Sequence, residues 1–372
     1  MAEENIPTTA CGDENDIPLP CEEAVAPPTK GKKRKYALSF LFLVALIGVT
    51  FYIIFKDNSL KDIFSLLDHV NLYYIGVGVI CMLGYSLLHA IIIGMSANCI
   101  GSKMRLREML QYSLVGFFYS AITPSSTGGQ PMQFYYMCRD KLSPSKSTLV
   151  MFIANITYQL AIVVFGFFML IYKWVFVSGI SGGVIVFFIL GISFNLFILF
   201  VLAGVLFSET LMTKLLRSVI LLLSKIHIIK NTEKMLGSVE KYISEFKNGV
   251  ELIRANFLKS LLIFLLTLLQ QLLYHLVPYL VYRSFGFNEF SCIDFVAISS
   301  ILYVSVSFLP LPGAVGASES GFVLLFRQLF GASIMPAMLL SRFINFYIML
   351  ILSGVTSFYV QLRRPYDIRK NK

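Results

Sequence analysis

Two polar breaks rich in Gly and Pro interrupt a chain whose other segments are apolar for long stretches. The first reads Ala121-Ile122-Thr123-Pro124-Ser125-Ser126-Thr127-Gly128-Gly129-Gln130-Pro131, and the second reads Leu309-Pro310-Leu311-Pro312-Gly313-Ala314-Val315-Gly316-Ala317-Ser318-Glu319. Neither suits a helix interior, because proline lacks a backbone donor and glycine raises the entropy lost on ordering. In hydrocarbon, non-helical backbone survives only where protein buries it or a wet cavity receives it. At a constant offset of 188, Pro124 meets Pro312, Gly128 meets Gly316, Phe134 meets Phe322 and Gly166 meets Gly354. We read the two breaks as partners in an internal repeat that builds one central site.

The membrane setting follows from composition. Hydrophobic residues make up 56% of the chain and charged residues 14%, with mean hydropathy +0.74. Runs at about 37–55, 72–98, 147–172, 180–207, 257–281 and 335–361 reach bilayer-spanning length. Shorter apolar pairs, 109–122 with 132–138 and 293–309 with 318–330, flank the two breaks. The expected fold class is therefore an all-α polytopic membrane protein with about six full spans and two re-entrant hairpins, arranged as inverted repeats.

Charge gives the expected orientation. Residues 1–35 form an acidic then basic tail, with Lys30, Lys32, Lys33, Arg34 and Lys35 directly before the first span. Basic residues around Lys103, Arg139 and Lys141, along 208–256 and in the tail 363–372 all fall on one side when the breaks are treated as hairpins. With Lys259 at the start of the fifth span, that side then holds 25 of the 31 Lys and Arg, which makes it cytoplasmic and places both termini there. If each hairpin crossed as a single helix, Arg139, Lys141 and Lys146 would lie outside. Segment 208–256 alternates charged and apolar residues at near-helical spacing, as an amphipathic segment on the cytoplasmic surface does. Residues 36–362 are read as one transmembrane domain with repeats at about 72–172 and 260–360. The net charge of +10 is used up in these topology signals, so nucleic acid is not an expected partner.

The site residues follow from the breaks. A helix N-terminus carries unpaired N–H groups and partial positive charge. Half-helices begin after Gly129 and after Gly316. Thr123, Pro124, Ser125, Ser126, Gly128, Gly129, Gln130 and Pro131 make up the first candidate substrate-binding set. Pro312, Gly313, Gly316, Ser318, Glu319 and Arg342 make up the second. Glu319 and Arg342 are the formal charges near the bundle interior, where a charge costs at least about 2.5–3.5 kcal/mol on insertion scales. Each needs a partner or a wet cavity, so they pair with each other or meet the two ends of a zwitterionic ligand. Asn155, Tyr158 and Gln159, like Gln270, Gln271, Tyr274 and His275, share helix faces and are expected to bond between helices. No metal-ligand spacing occurs among the six cysteines, and no hydrolase, Walker or dinucleotide signature falls in a fitting context. No catalytic residue, metal or cofactor is expected.

Thr123-Pro124-x-x-x-Gly128-Gly129-Gln130-Pro131 and Pro312-Gly313-x-x-Gly316-x-x-Glu319, with Arg342 in the last span, resemble the paired motifs of the lysylphosphatidylglycerol synthase transmembrane domain family. The resemblance covers about 36–362. It implies a bacterial or archaeal inner-membrane protein; here we expect a multi-pass protein of the bacterial plasma membrane. In bifunctional members the membrane region is similar to a lipid flippase, and a soluble C-terminal domain transfers lysine to phosphatidylglycerol. This chain stops at Lys372, so that catalytic domain is expected to be absent. Gln130 stands where many relatives place Glu, which leaves the headgroup preference open. The expected function is translocation of a phospholipid or polyprenyl-linked lipid. The alternatives are a component of aminoacyl-phospholipid synthesis and a secondary transporter of a small anion. The expected partners are the lipid itself, a separate soluble transferase and a second copy of the chain.

Overall fold

The structure, a computed structural model, describes residues 70–123, 126–172, 182–208, 210–214, 217–218, 221 and 232–363. The tail 1–35, the first expected span and the basic tail after Arg363 lie outside them. Among the described residues the chain is all helical, without strands. In order it forms α1 (Leu72–Cys99), α2 (Leu106–Ile122), α3 (Gly129–Arg139), α4 (Pro144–Tyr172), α5 (Gly182–Phe207) and α6 (Thr232–Ala255). Then come α7 (Phe257–Ser284), α8 (Cys292–Val306), α9 (Ala317–Phe330), α10 (Ile334–Arg342), a π-helical turn at Phe343–Tyr347, and α11 (Ile348–Arg363). Among the described residues, five stretches are long and apolar enough to cross a membrane: Leu72–Cys99, Pro144–Tyr172, Gly183–Leu206, Phe257–Ser284 and the interrupted run Pro312–Gln361. The protein is a multi-pass membrane protein.

Local chemistry sets the helix starts. Asn71 caps α1 by accepting the Tyr73 N–H at 3.0 Å. The Arg105 N–H donates to Glu108 at the start of α2, and the Ser291 N–H donates to Asp294 at the start of α8. In each case an acidic side chain one turn inside the helix occupies its exposed N–H end. The Asn71 N–H also donates to the Ser284 carbonyl at 2.8 Å, which ties the start of α1 to the end of α7. These two helices are thus antiparallel, and they share the most extensive helix–helix contact of the bundle.

The packing is reciprocal. Helix α2 lies against α11, and α8 lies against α4. Within each half, α1 packs on α2 and α7 on α8, α2 on α3 and α8 on α9, and α3 on α4 and α9 on α10. One large apolar cluster, including Met82, Phe188, Tyr282, Phe295 and Phe326, fills the region around α7, α8 and α9. A second, including Ile92, Tyr112, Met137, Leu149 and Phe246, joins α1, α2, α3 and α4 to α6. Exposed Phe187, Leu190, Phe194, Phe197 and Phe200 make α5 apolar on its outer side, as lipid contact requires. Helix α6 rests on α4 through Phe246 against Phe152, and the Tyr242 hydroxyl donates to Thr148 at 2.7 Å.

Candidate functional site

The second break is built around Glu319. Pro312 begins a short 3-10 turn, and Gly313 and Gly316 take positive φ values of 58° and 87° that favour glycine. Gly316 caps α9, and its N–H donates to Glu319 Oε2 at 2.6 Å. The Ser318 hydroxyl lies 3.2 Å from the same oxygen and 2.8 Å from the Ala314 carbonyl. The other carboxylate oxygen, Oε1, accepts from Arg342 Nε at 2.6 Å. Arg342 Nη2 donates to the Gly313 carbonyl at 3.1 Å, and its guanidinium lies 5.0 Å from the centre of the Phe346 ring. The side chains of Arg342 and Glu319 retain only 12% and 5% of their surface. The carboxylate is thus fully engaged. One oxygen holds the cation and the other closes the N-terminal end of α9.

The first break is different. Thr123 is buried, and its hydroxyl donates to the Tyr119 carbonyl at 2.6 Å while accepting the Gly128 N–H at 2.8 Å. Pro124 and Ser125 lie outside the described residues. Ser126 is exposed with φ 54°, and its carbonyl accepts from Ser120 at 3.4 Å. Gly128 caps α3, and Gly129 is packed so closely that a Cβ there would lie 2.0 Å from Ser120 Oγ and 2.6 Å from the Gly116 carbonyl. Gln130 and Pro131 are exposed, and Gln130 Nε2 donates to Asn155 on α4 at 2.8 Å. No acidic residue lies in the first turn of α3. Its partial positive charge is therefore not met by a carboxylate of its own helix, whereas that of α9 is.

The two breaks approach each other through apolar atoms. Ala121 and Ile122 at the end of α2 pack with Val315 and Phe346 in one buried cluster. The structure brings Gly313, Gly316, Ser318, Glu319 and Arg342 into one network. It links Gln130 to Asn155 and leaves Pro131 at the surface. Each break is thus linked to the following span by a polar contact near the start of its half-helix, neutral in the first and ionic in the second. Phe346 and the Gly313 carbonyl are additions. The first carries a sequence signal, an aromatic residue one turn beyond Arg342. The second has none.

A polar interior adjoins this pair. The Tyr158 hydroxyl bonds with that of Tyr303, and His275 Nδ1 lies 3.0 Å from the Ser299 hydroxyl. The Tyr274 ring is 5.4 Å from Tyr303 and 6.0 Å from Tyr85. Gln270 approaches the Tyr85 hydroxyl without reaching hydrogen-bond geometry. Gln270 and Gln271 are each only 1% exposed, and amide atoms of Gln159, Gln270 and Gln271 have no hydrogen-bond partner. Bonding between helices accounts for Asn155, Tyr158 and His275 but not for the glutamines. The arrangement can hold a polar group by hydrogen bonds and one guanidinium. Among the described residues no cluster of three or more His, Cys, Asp or Glu could hold a metal ion.

Two comparisons with known proteins bear on the whole bundle. A UPF0104 membrane protein of Archaeoglobus fulgidus is 22% identical over 341 residues, covering 87% of this chain and 97% of that protein. The family described as the lysylphosphatidylglycerol synthase TM region matches residues 36–353, which include both breaks, Glu319 and Arg342. With most of its length matched, the chain belongs to the lysylphosphatidylglycerol synthase TM region family.

Proposed function

We propose that this protein moves a lipid between the leaflets of a bacterial plasma membrane, with the headgroup passing between the two hairpins. The carrying observation is the Glu319–Arg342 pair at the mouth of a half-helix, in a bundle whose interior also holds buried amide atoms without partners. Buried charge is costly and an unpaired buried amide forfeits its hydrogen bond, so apolar packing alone gives no reason to keep them. A polar group that visits the interior does. The reciprocal packing of α2 on α11 and α8 on α4 supports an inverted-repeat reading, in which discontinuous helices face a shared site. The offset of 188 supports it again, since it carries Gly128 onto Gly316, the caps of α3 and α9. In this reading both termini are cytoplasmic, and the substrate is a phospholipid or a polyprenyl-linked lipid.

The test is lipid translocation in proteoliposomes, read by the fraction of a fluorescent lipid accessible to a membrane-impermeant quencher. The chain should raise the rate well above that of protein-free vesicles. Glu319→Ala and Arg342→Ala, each checked for folding, should return it to the background. Normal rates in both variants would remove this site from the mechanism.

A further inference from the structure

We propose that the interior beside the Glu319–Arg342 pair receives an uncharged, hydroxyl-rich headgroup carried on a phosphodiester, and selects against a lysyl headgroup. The inference rests on the transport reading above and names the substrate class of the same site.

Charge is the first ground. A lysyl ester presents two ammonium groups, which need carboxylates to leave water. Glu319 is the one charged residue among the described residues that are buried as a whole. Its Oε1 is held by Arg342, and its Oε2 by the Gly316 N–H beside Ser318. No second carboxylate is there to neutralise another cation, and Arg342 would repel one. Arg342 uses Nε and Nη2 on Glu319 and the Gly313 carbonyl. Its remaining N–H groups match a phosphodiester oxygen.

The lining is the second ground. Tyrosines from four different helices, α1, α4, α7 and α8, converge there, each keeping some accessible surface. Their hydroxyls both donate and accept, as do the amides of Gln270 and Gln271. Sugar or glycerol hydroxyls have the same dual character. The unpartnered amide atoms show that the protein does not satisfy this lining by itself. A neutral polyol would satisfy both the Oε1 acceptors of Gln159 and Gln270 and the Nε2 donors of Gln270 and Gln271, whereas an ammonium group, which has no lone pair, would satisfy the acceptors alone.

Proteoliposomes containing the full chain, offered three fluorescent lipids separately, test this. The lipids are phosphatidylglycerol, a polyprenyl-phosphoryl-glucose and lysyl-phosphatidylglycerol. At least one of the first two should move about ten-fold faster than the lysyl lipid, and the one that moves identifies whether a glycerol or a sugar is carried. Gln271→Glu, which adds a carboxylate at nearly the same volume, should narrow that preference. A lysyl lipid carried as fast as the others by the unaltered chain overturns the selectivity while leaving the transport reading intact. Movement of none of the three above protein-free vesicles overturns both.

Discussion

At the scale of single residues, Glu319 performs two tasks that a sequence presents as one. Its carboxylate closes the N-terminal end of α9 and neutralises Arg342. The two substitutions should therefore be unequal. Glu319→Ala leaves a buried guanidinium without its counterion and uncaps the helix, which should cost about 3–5 kcal/mol. Arg342→Ala leaves a carboxylate still bonded to the Gly316 N–H and should cost less. The double variant should be more stable than the sum of the two predicts, by about 0.5–3 kcal/mol. Denaturant unfolding in mild detergent measures all three, and strict additivity would mean that the ion pair does not couple the sites. The pairing was legible because two formal charges in apolar surroundings must find each other or water. The Gly313 carbonyl was not legible as a ligand of Arg342, because its direction depends on a positive φ that sequence only permits.

At the scale of elements, each hairpin depends on a close helix approach. In the first, α2 meets α3 at Gly129, where an added methyl would overlap Ser120 and the Gly116 carbonyl. Gly129→Ala should destabilise the protein by about 1–3 kcal/mol, the usual cost of overpacking. Gly76→Ala, in α1 with nothing within 4 Å, should be neutral or slightly stabilising because alanine favours helix. Thermal unfolding of the two variants side by side checks the contrast, and equal shifts would contradict the packing. Helix positions were largely readable from apolar run lengths. The start of α3 was readable as well: a half-helix was expected after Gly129 and begins at Gly129, and Pro131 is accepted in its first turn, where the missing N–H has no helical partner to lose. The interruption of the last span at Phe343–Tyr347 left no mark, since the run stays largely apolar through it.

At the scale of the whole molecule, the charge distribution predicts one orientation, with the segment around Lys141 cytoplasmic. Single cysteines replacing Lys141, after α3, and Asn288, between α7 and α8, test it in a background without the native cysteines. An impermeant thiol reagent added to intact cells should label position 288 and spare 141. The reverse pattern would mean that the first hairpin opens outward. The all-helical membrane class was legible because composition and run length alone determine it. The pairing of α2 with α11 was not, because it joins segments more than two hundred residues apart that share no local pattern.

The π-helical turn at Phe343–Tyr347 has a consequence for how one span serves two neighbourhoods. Such a turn holds one residue more than an α-helix would, so the faces before and after it differ by about 100°. Ahead of the turn, α10 directs Arg342 to Glu319 and packs on α9 and α7; beyond it, α11 lies along α2. The span thus works as two phased segments on one axis, like offset cams on a single shaft. Deleting one residue within the turn would bring the segments back into phase, and only one of the two hairpins could then remain engaged.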